Sequence, residues 1–227
     1  MSSFVTARLS ASALLARPAK ALPAVQRRQA LISLVLATRG FGSAAGAQQT
    51  SQTCANAMVG LKAAKIIPDI IDRVSPASAA ELEVAFHGKA IQNGQLISPK
   101  DAAAAPKVHI RGGSEGGLFT LLASDPDPPD PANPVYREWL HWIVTNIPAG
   151  GDASQGTEVA AWRGPSPPIG THRYVFLLYQ QPNQEPLQVA DPSGGEPSKR
   201  AKFNTRSFAK AHNLGDPVAV TWFNSHK

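Results

Sequence analysis

Three stretches of this chain are apolar on both faces: LFTLLAS (118–124), HWIVTNIP (141–148) and HRYVFLLYQ (172–180). A strand with one face to water alternates polar and apolar residues, so runs without alternation belong in the middle of a sheet covered on both sides. This demands one central sheet with a layer against each face. Twenty prolines and eighteen glycines point the same way, because they favour short strands and many turns over a helical bundle. The fold class read from these features is mainly β with few helices, and 227 residues suit one domain with a sizeable core plus a flanking segment.

The flanking pieces are legible by pattern. ELEVAFHG (81–88) alternates, with Leu82, Val84 and Phe86 inward and Glu81, Glu83 and His87 outward; PKVHIRGG (106–113) is a second short alternating strand. His87 and His109 fall on the polar phases and read as exposed. Asn93-Gly94 is a hairpin-turn dipeptide, since both residues tolerate positive φ. One helix is predicted in KFNTRSFAKAHNLGDPVAV, capped by Asn204, with Phe208, Ala211 and Leu214 at helical spacing and Gly215 and Pro217 ending it. PVAVTWF then closes the domain as a strand. The Gly/Pro/Ser-rich stretch 189–202 reads as a mobile loop whose Lys199, Arg200 and Lys202 form a solvated face.

The net charge of +6 is not spread evenly. Residues 1–47 hold six basic side chains and no acid, the first carboxylate being Asp69, so residues 48–227 carry 16 basic and 16 acidic groups and are formally neutral. Such a domain has no broad field for polyanions, which argues against nucleic acid as a partner. Residues 1–47 are Ser/Ala/Arg-rich, the composition of an organelle transit peptide, and RRQALISLVLA adds Arg27-Arg28 before an apolar run of eight, followed by GSAAGA. The expectation is a cleaved, bipartite targeting segment over 1–47 leading to the chloroplast and its thylakoid lumen, with the mitochondrion as the alternative. A short linker over 48–56 and a domain over 57–227 follow. The apolar run is too short to span a bilayer, so no transmembrane segment is expected. Cys54 stands alone, which leaves no disulfide within the chain and no Cys metal site.

Chemistry gathers at the ends of the three apolar runs. Asp125 and Asp127 follow the first, while His141 and His172 begin the second and third. If the strands adjoin, these groups meet at one rim of the sheet, where a carboxylate beside an imidazole orients the ring and favours its protonated form. A pocket with inward N–H donors would suit an anion. Two proline-rich loops border it. SDPDPPDPANP (124–134) holds three aspartates and five prolines in eleven positions, and RGPSPPIGTHRY (163–174) forms the opposite wall. Proline fixes φ and lowers the entropy of ordering, and Gly164 permits close backbone approach.

DPDPPDPANPVYREWLHWIVTNIP, GPSPPIGTHRYVFLLYQQ and FNTRSFAKAHNLGDPVAVTWFN, preceded by IPDIID, NGQLISP and PKVHIRGG, together resemble the phosphatidylethanolamine-binding protein family over about residues 57–227. That family includes the Raf kinase inhibitor proteins of animals and the florigen-type regulators of plants. The resemblance implies a large central antiparallel sheet flanked by a smaller sheet and one or two helices. Its D-P-D-x-P motif falls on Asp125, Asp127, Pro128 and Pro129, its R-E-W-x-H motif on Trp139 and His141, and its G-P-x-P-P and G-x-H-R motifs on Gly164, Pro165 and His172, with Tyr174 just beyond. It implies that these residues line a small site for phosphate, acetate or a phospholipid headgroup. Ser166 stands where plant members usually carry an arginine, Trp139 matches animal members and the seed-expressed plant branch, and these 227 residues include no counterpart of the C-terminal helix of animal members.

The function these observations imply is non-enzymatic: a pocket for phosphate or a headgroup such as phosphoethanolamine, with no cofactor and no metal, and regulation through a protein partner such as a kinase or protease. The alternatives are a protease-inhibitor-like module acting through surface loops, and a phosphoryl or acyl hydrolase using His141 or His172 as base. No serine sits in a nucleophile-elbow pattern, and Asp and His ligands lack a paired spacing such as H-x-x-x-H.

Overall fold

The computed structural model describes residues 58–75 and 78–227. The readings made on residues 1–57, namely the targeting segment, the linker and Cys54, lie outside the described residues.

Among the described residues nine strands form two sheets: β1 (Glu81–Phe86), β2 (Lys89–Ala90), β3 (Gln95–Leu96), β4 (Lys107–Arg111), β5 (Leu118–Asp125), β6 (Trp139–Pro148), β7 (Thr157–Ala160), β8 (Thr171–Gln180) and β9 (Ala219–His226). The small sheet has the order β2-β1-β4 and the large one β3-β9-β8-β5-β6-β7. All pairings are antiparallel except β3 with β9. The helical parts are short: a turn over residues 58–63, α1 (Ile66–Asp69), α2 (Thr205–Ala211) and two 3-10 turns at Ala153–Gln155 and Pro197–Arg200.

The three doubly apolar runs are β5, β6 and β8, the middle of the large sheet. Their alternate side chains enter two separate cores. Leu121, Ala123, Trp142, Val144, Tyr174, Phe176 and Leu178 pack with Val84, Phe86, Val108 and Ile110 of the small sheet. Leu122, Leu140, Ile143, Val175, Leu177 and Tyr179 pack with Leu61, Ile66, Ile70, Phe208 and Leu214 of the helical layer. Each face of the sheet thus has its own apolar cover, which is why these strands carry no polar phase. At roughly 25 cal/mol per Å² of buried apolar surface, burying each large side chain contributes about 1.5–3 kcal/mol.

Three local expectations are corrected. The hairpin turn lies at His87-Gly88, both at positive φ, between β1 and β2, and not at Asn93-Gly94. Asn93 instead accepts hydrogen bonds from Thr221 Oγ1 and Trp222 N, and the chain crosses to the large sheet as β3, parallel to β9. In α2 the Asn204 cap holds Ser207 N at 2.7 Å as expected, but the inner face is Thr205, Phe208 and Ala209. Ala211 is exposed because the helix stops there, and Leu214 reaches the core from the following turn. Arg200 is buried, its guanidinium donating to the carbonyls of Leu140 and His141, so it is no part of a solvated face.

Candidate functional site

The antiparallel order β8-β5-β6 brings the end of β5 beside the starts of β6 and β8. Asp125 pairs with Trp139, and Ser124 with both Leu140 and Val175, so the polar groups at these strand ends share one rim. The β5–β6 register then slips: Ser124 faces Leu140 while Ala123 faces Trp142. His141 is the extra residue of that bulge, and a bulge re-aims a side chain that regular alternation would send elsewhere.

His172 is fully buried, and both its nitrogens are occupied: Nδ1 donates to Asp125 Oδ2 at 2.7 Å and Nε2 to the Ile169 carbonyl at 3.0 Å. Two acceptors require two N–H groups, so the ring is an imidazolium. Burial alone would lower its pKa; the hydrogen bond and charge of Asp125 outweigh it and raise the pKa above the ordinary value. The other Asp125 oxygen accepts from Asp127 N at 2.8 Å. His172 has no nitrogen to spare for a ligand, and the Asp125 carboxylate can only accept. The inward N–H donors expected from His172 are therefore spent on protein oxygens.

His141 differs. Its Nδ1 donates to the Arg163 carbonyl at 2.5 Å, and its ring meets Tyr174 edge-on at 5.0 Å. Burial lowers its pKa against the attraction of Asp125, leaving a neutral imidazole whose Nε2 has no protein partner among the described residues and opens to the pocket. Burial, together with Asp125, pushes the Tyr174 phenol well above its usual range, so it stays protonated.

Around these groups lies a cavity of about 360 Å³ lined by Asp125, Pro128, Trp139, His141, Gly164, His172 and Tyr174, all expected there from the sequence. Pro129, Ser166 and Pro168 complete the loop walls. A Cβ on Gly164 would come within 2.9 Å of Ala103 Cα and 3.0 Å of the Ala102 carbonyl, so this wall needs a glycine. The acidic loop is held from within, by Tyr136 N to the Pro128 carbonyl at 3.1 Å and Arg137 Nε to the Pro126 carbonyl at 2.6 Å.

Two expected residues are elsewhere. Asp127 turns away from the cavity to Arg173, whose backbone N and Nε both reach Asp127 Oδ2 at 2.9 Å. Arg173 also holds Asp69 at 2.8 Å and the Ala64 carbonyl at 2.7 Å, so this pair clamps the N-terminal helical layer to the sheet. The parity of β8 explains it: His172 and Tyr174 face the pocket side, and Arg173 must face the other. Pro165 is buried behind the wall and does not line the cavity. Two lining residues were not foreseen, Tyr136 and Arg163. Arg163 sits directly before Gly164-Pro165 in the sequence, and that adjacency is the signal that could have found it. Among the described residues, no group of three or more His, Cys, Asp or Glu is placed to hold a metal ion, and no helix is long and apolar enough to cross a membrane.

A sheet covered on both faces, with a small pocket where two proline-rich loops meet its strand ends, defines a class of two-sheet β domains. The chain belongs to the phosphatidylethanolamine-binding protein family, whose description it matches over residues 86–223. It is similar to "Protein MOTHER of FT and TFL1 homolog 2" of Oryza sativa subsp. japonica, at 42% identity over 163 residues, covering 72% of this chain and 90% of the relative. It is likewise similar to "Protein TERMINAL FLOWER 1" of Arabidopsis thaliana, at 39% identity with 72% and 88% covered. Among solved structures, a carboxypeptidase Y inhibitor complexed with the cognate proteinase shares the fold, with a TM-score of 0.62 at 23% identity over 74% of this chain and 93% of that one.

Proposed function

We propose that this protein is a non-enzymatic binding module whose pocket takes a small anionic group, a phosphate or a phospholipid headgroup such as phosphoethanolamine, and that it regulates a protein partner. The observation that carries this reading is the occupation of His172: both its nitrogens donate to protein oxygens, Asp125 Oδ2 and the Ile169 carbonyl, so this histidine offers no free base. Hydrolysis by either route needs a nucleophile activated by a base. Among the described residues no hydroxyl lining the cavity is hydrogen-bonded to a histidine nitrogen. His141 Nε2 remains an open base that could activate a water, which the turnover assay below decides; a shaped, partly polar recess is the usual form of a binding site.

A second reading has its own observation. Val135, Tyr136 and Ile169, on the two loops at the pocket mouth, are 52%, 45% and 57% exposed, which suits a protease-inhibitor-like or other protein contact made by surface loops. Calorimetric titration of the full chain with phosphoethanolamine and with inorganic phosphate tests the first reading, run beside a turnover assay on p-nitrophenyl phosphate. Saturable binding without turnover is expected; turnover abolished by His141→Ala would establish the hydrolase instead. Targeting to a plastid, with the mitochondrion as the alternative, is the proposal for residues 1–47, and imaging the full chain with a C-terminal fluorescent fusion decides between them.

A further inference from the structure

Tyr179 brings a phenol to a place where the core needs only a ring. It is 1% exposed on β8, in the core shared with the helical layer, on the face of the sheet opposite Tyr174 and the rim pocket. A buried tyrosine hydroxyl ordinarily has a hydrogen-bond partner. This one has none among the described residues. It is not sealed in either, because Ser225 Oγ is the one fully enclosed side-chain oxygen or nitrogen there without a partner. The little surface that Tyr179 keeps is therefore at its hydroxyl, and it opens on a second cavity, of about 460 Å³.

Three pieces of chain wall this cavity: Ile71 and Asp72 after α1, Arg206 and Ala209 on α2, and Asp216 and Pro217 beyond it. They are braced against one another. Arg206 donates to Asp72 Oδ1 at 2.9 Å and to the Asp69 carbonyl at 3.3 Å, Arg73 Nε to Asp216 Oδ2 at 2.5 Å, and Ser75 N to the Pro217 carbonyl at 2.8 Å. The recess is thus formed before anything enters it, as small-molecule sites usually are. Ile71, Ala209 and Pro217 are buried and give it an apolar lining. Both lining carboxylates are paired with arginines, and Lys210, at the edge, is exposed to water. Burial, together with Glu138 and Asp216, pushes the phenol pKa up, and the opposing pull of Arg206 is the weakest of these influences. The hydroxyl keeps its proton and stands in a field that disfavours an anion.

A molecule that completes this site must fill an apolar recess, accept one hydrogen bond from a neutral O–H and bring no negative charge. An ammonium would leave the phenol proton unpaired, and a carboxylate would meet Glu138 and Asp216. A carbonyl oxygen meets every requirement. We propose that this cavity is a second binding site, for a small uncharged molecule with an apolar body and a carbonyl group that accepts from the Tyr179 hydroxyl. The site is independent of the rim pocket: the two cavities share no lining residue, and Tyr174 and Tyr179 reach them from opposite faces of β8.

Titration of the isotope-labelled full chain with phenylacetamide, phenylacetate and phenethylamine near neutral pH, followed through backbone amide shifts by NMR, tests it. The three probes share one body and differ in the charge of the head. Phenylacetamide is expected to shift the amides of Ile71, Ala209 and Gly215 saturably, and to bind about fivefold more tightly than either charged probe, the worth of one neutral hydrogen bond. Tyr179→Phe keeps the ring and removes no hydrogen bond that the fold uses, so it is expected to unfold at an unchanged temperature and to bind phenylacetamide about fivefold more weakly. No saturable shift around this cavity up to the solubility limit of phenylacetamide overturns the site. Undiminished binding by Tyr179→Phe overturns the part given to the hydroxyl, and tighter binding of phenylacetate or phenethylamine overturns the uncharged class.

Discussion

The two ends of β5, β6 and β8 both bury polar side chains, and they do so by opposite means. At the far end Thr120 Oγ1 donates to Gln181 Oε1 at 3.0 Å, Asn146 N to the same oxygen at 2.8 Å, and Gln181 Nε2 to Asn146 Oδ1 at 3.1 Å. Leu187 N closes the set on Asn146 Oδ1 at 2.7 Å. Every member is neutral, and the network ends within the protein. The pocket end is ionic, with the Asp125–His172 pair buried and Arg163 and His141 Nε2 left facing the cavity. A neutral amide network suffices where a sheet end only has to be closed. Charges kept in tension, with one unmatched, suit an end that must receive something.

The largest effect that would test this contrast is on stability. Asp125→Ala leaves His172 without its counter-charge and Asp127 N without its acceptor, and breaking a buried pair from one side costs about 3–5 kcal/mol. Gln181→Ala at the neutral end leaves Thr120 Oγ1 and Asn146 N unpaired, at about 1–3 kcal/mol. Urea unfolding of both variants gives the comparison directly. If Gln181→Ala were the more damaging, the ionic rim would not be the more tightly determined of the two.

A smaller and more selective effect is expected from pH. His172 has a folded pKa above its ordinary 6.5, so its contribution is complete below that value and is lost as pH rises through the folded pKa. His141 has a folded pKa below 6.5, so the fold favours its neutral form and stability falls as pH drops from 6.5 toward that pKa. The two histidines thus limit stability from opposite sides. In thermal unfolding from pH 5 to pH 9, His172→Gln should flatten the alkaline limb and His141→Gln the acid limb, while Gln181→Ala shifts the whole curve without changing its shape. A His172→Gln curve that keeps its alkaline limb would show that another group controls it.

Much of this rim could be read before any coordinates. The lack of alternation in β5, β6 and β8 located the central strands, and the polar residues at their ends located Asp125, His141 and His172. What pattern could not supply was register and parity. The bulge at His141 depends on how β5 pairs with β6, and nothing in HWIVTNIP announces it. Asp127 looked like a partner of Asp125 because it is two residues away, but its partner is Arg173, 46 residues along the chain. Asn93-Gly94 has the composition of a hairpin turn, yet the contacts of Asn93 with Thr221 and Trp222 of β9 commit the chain to the other sheet. Arg200 in a Gly/Pro/Ser-rich stretch looked solvated until two strand-start carbonyls took it inside.

The smallest expected stability effect belongs to Arg163, on the pocket wall. Arg163 has an exposed side chain and no partner among the described residues, so Arg163→Gln removes no contact that the fold uses, and a change within about 0.5 kcal/mol is expected in the same urea experiment. Relief of its repulsion with Arg200 gives the sign: slightly stabilising, more so at low salt, where the two charges are least screened. A marked loss of stability in Arg163→Gln would mean that the guanidinium serves the fold, and the distinction between a closed rim and a receiving rim would lose its clearest marker.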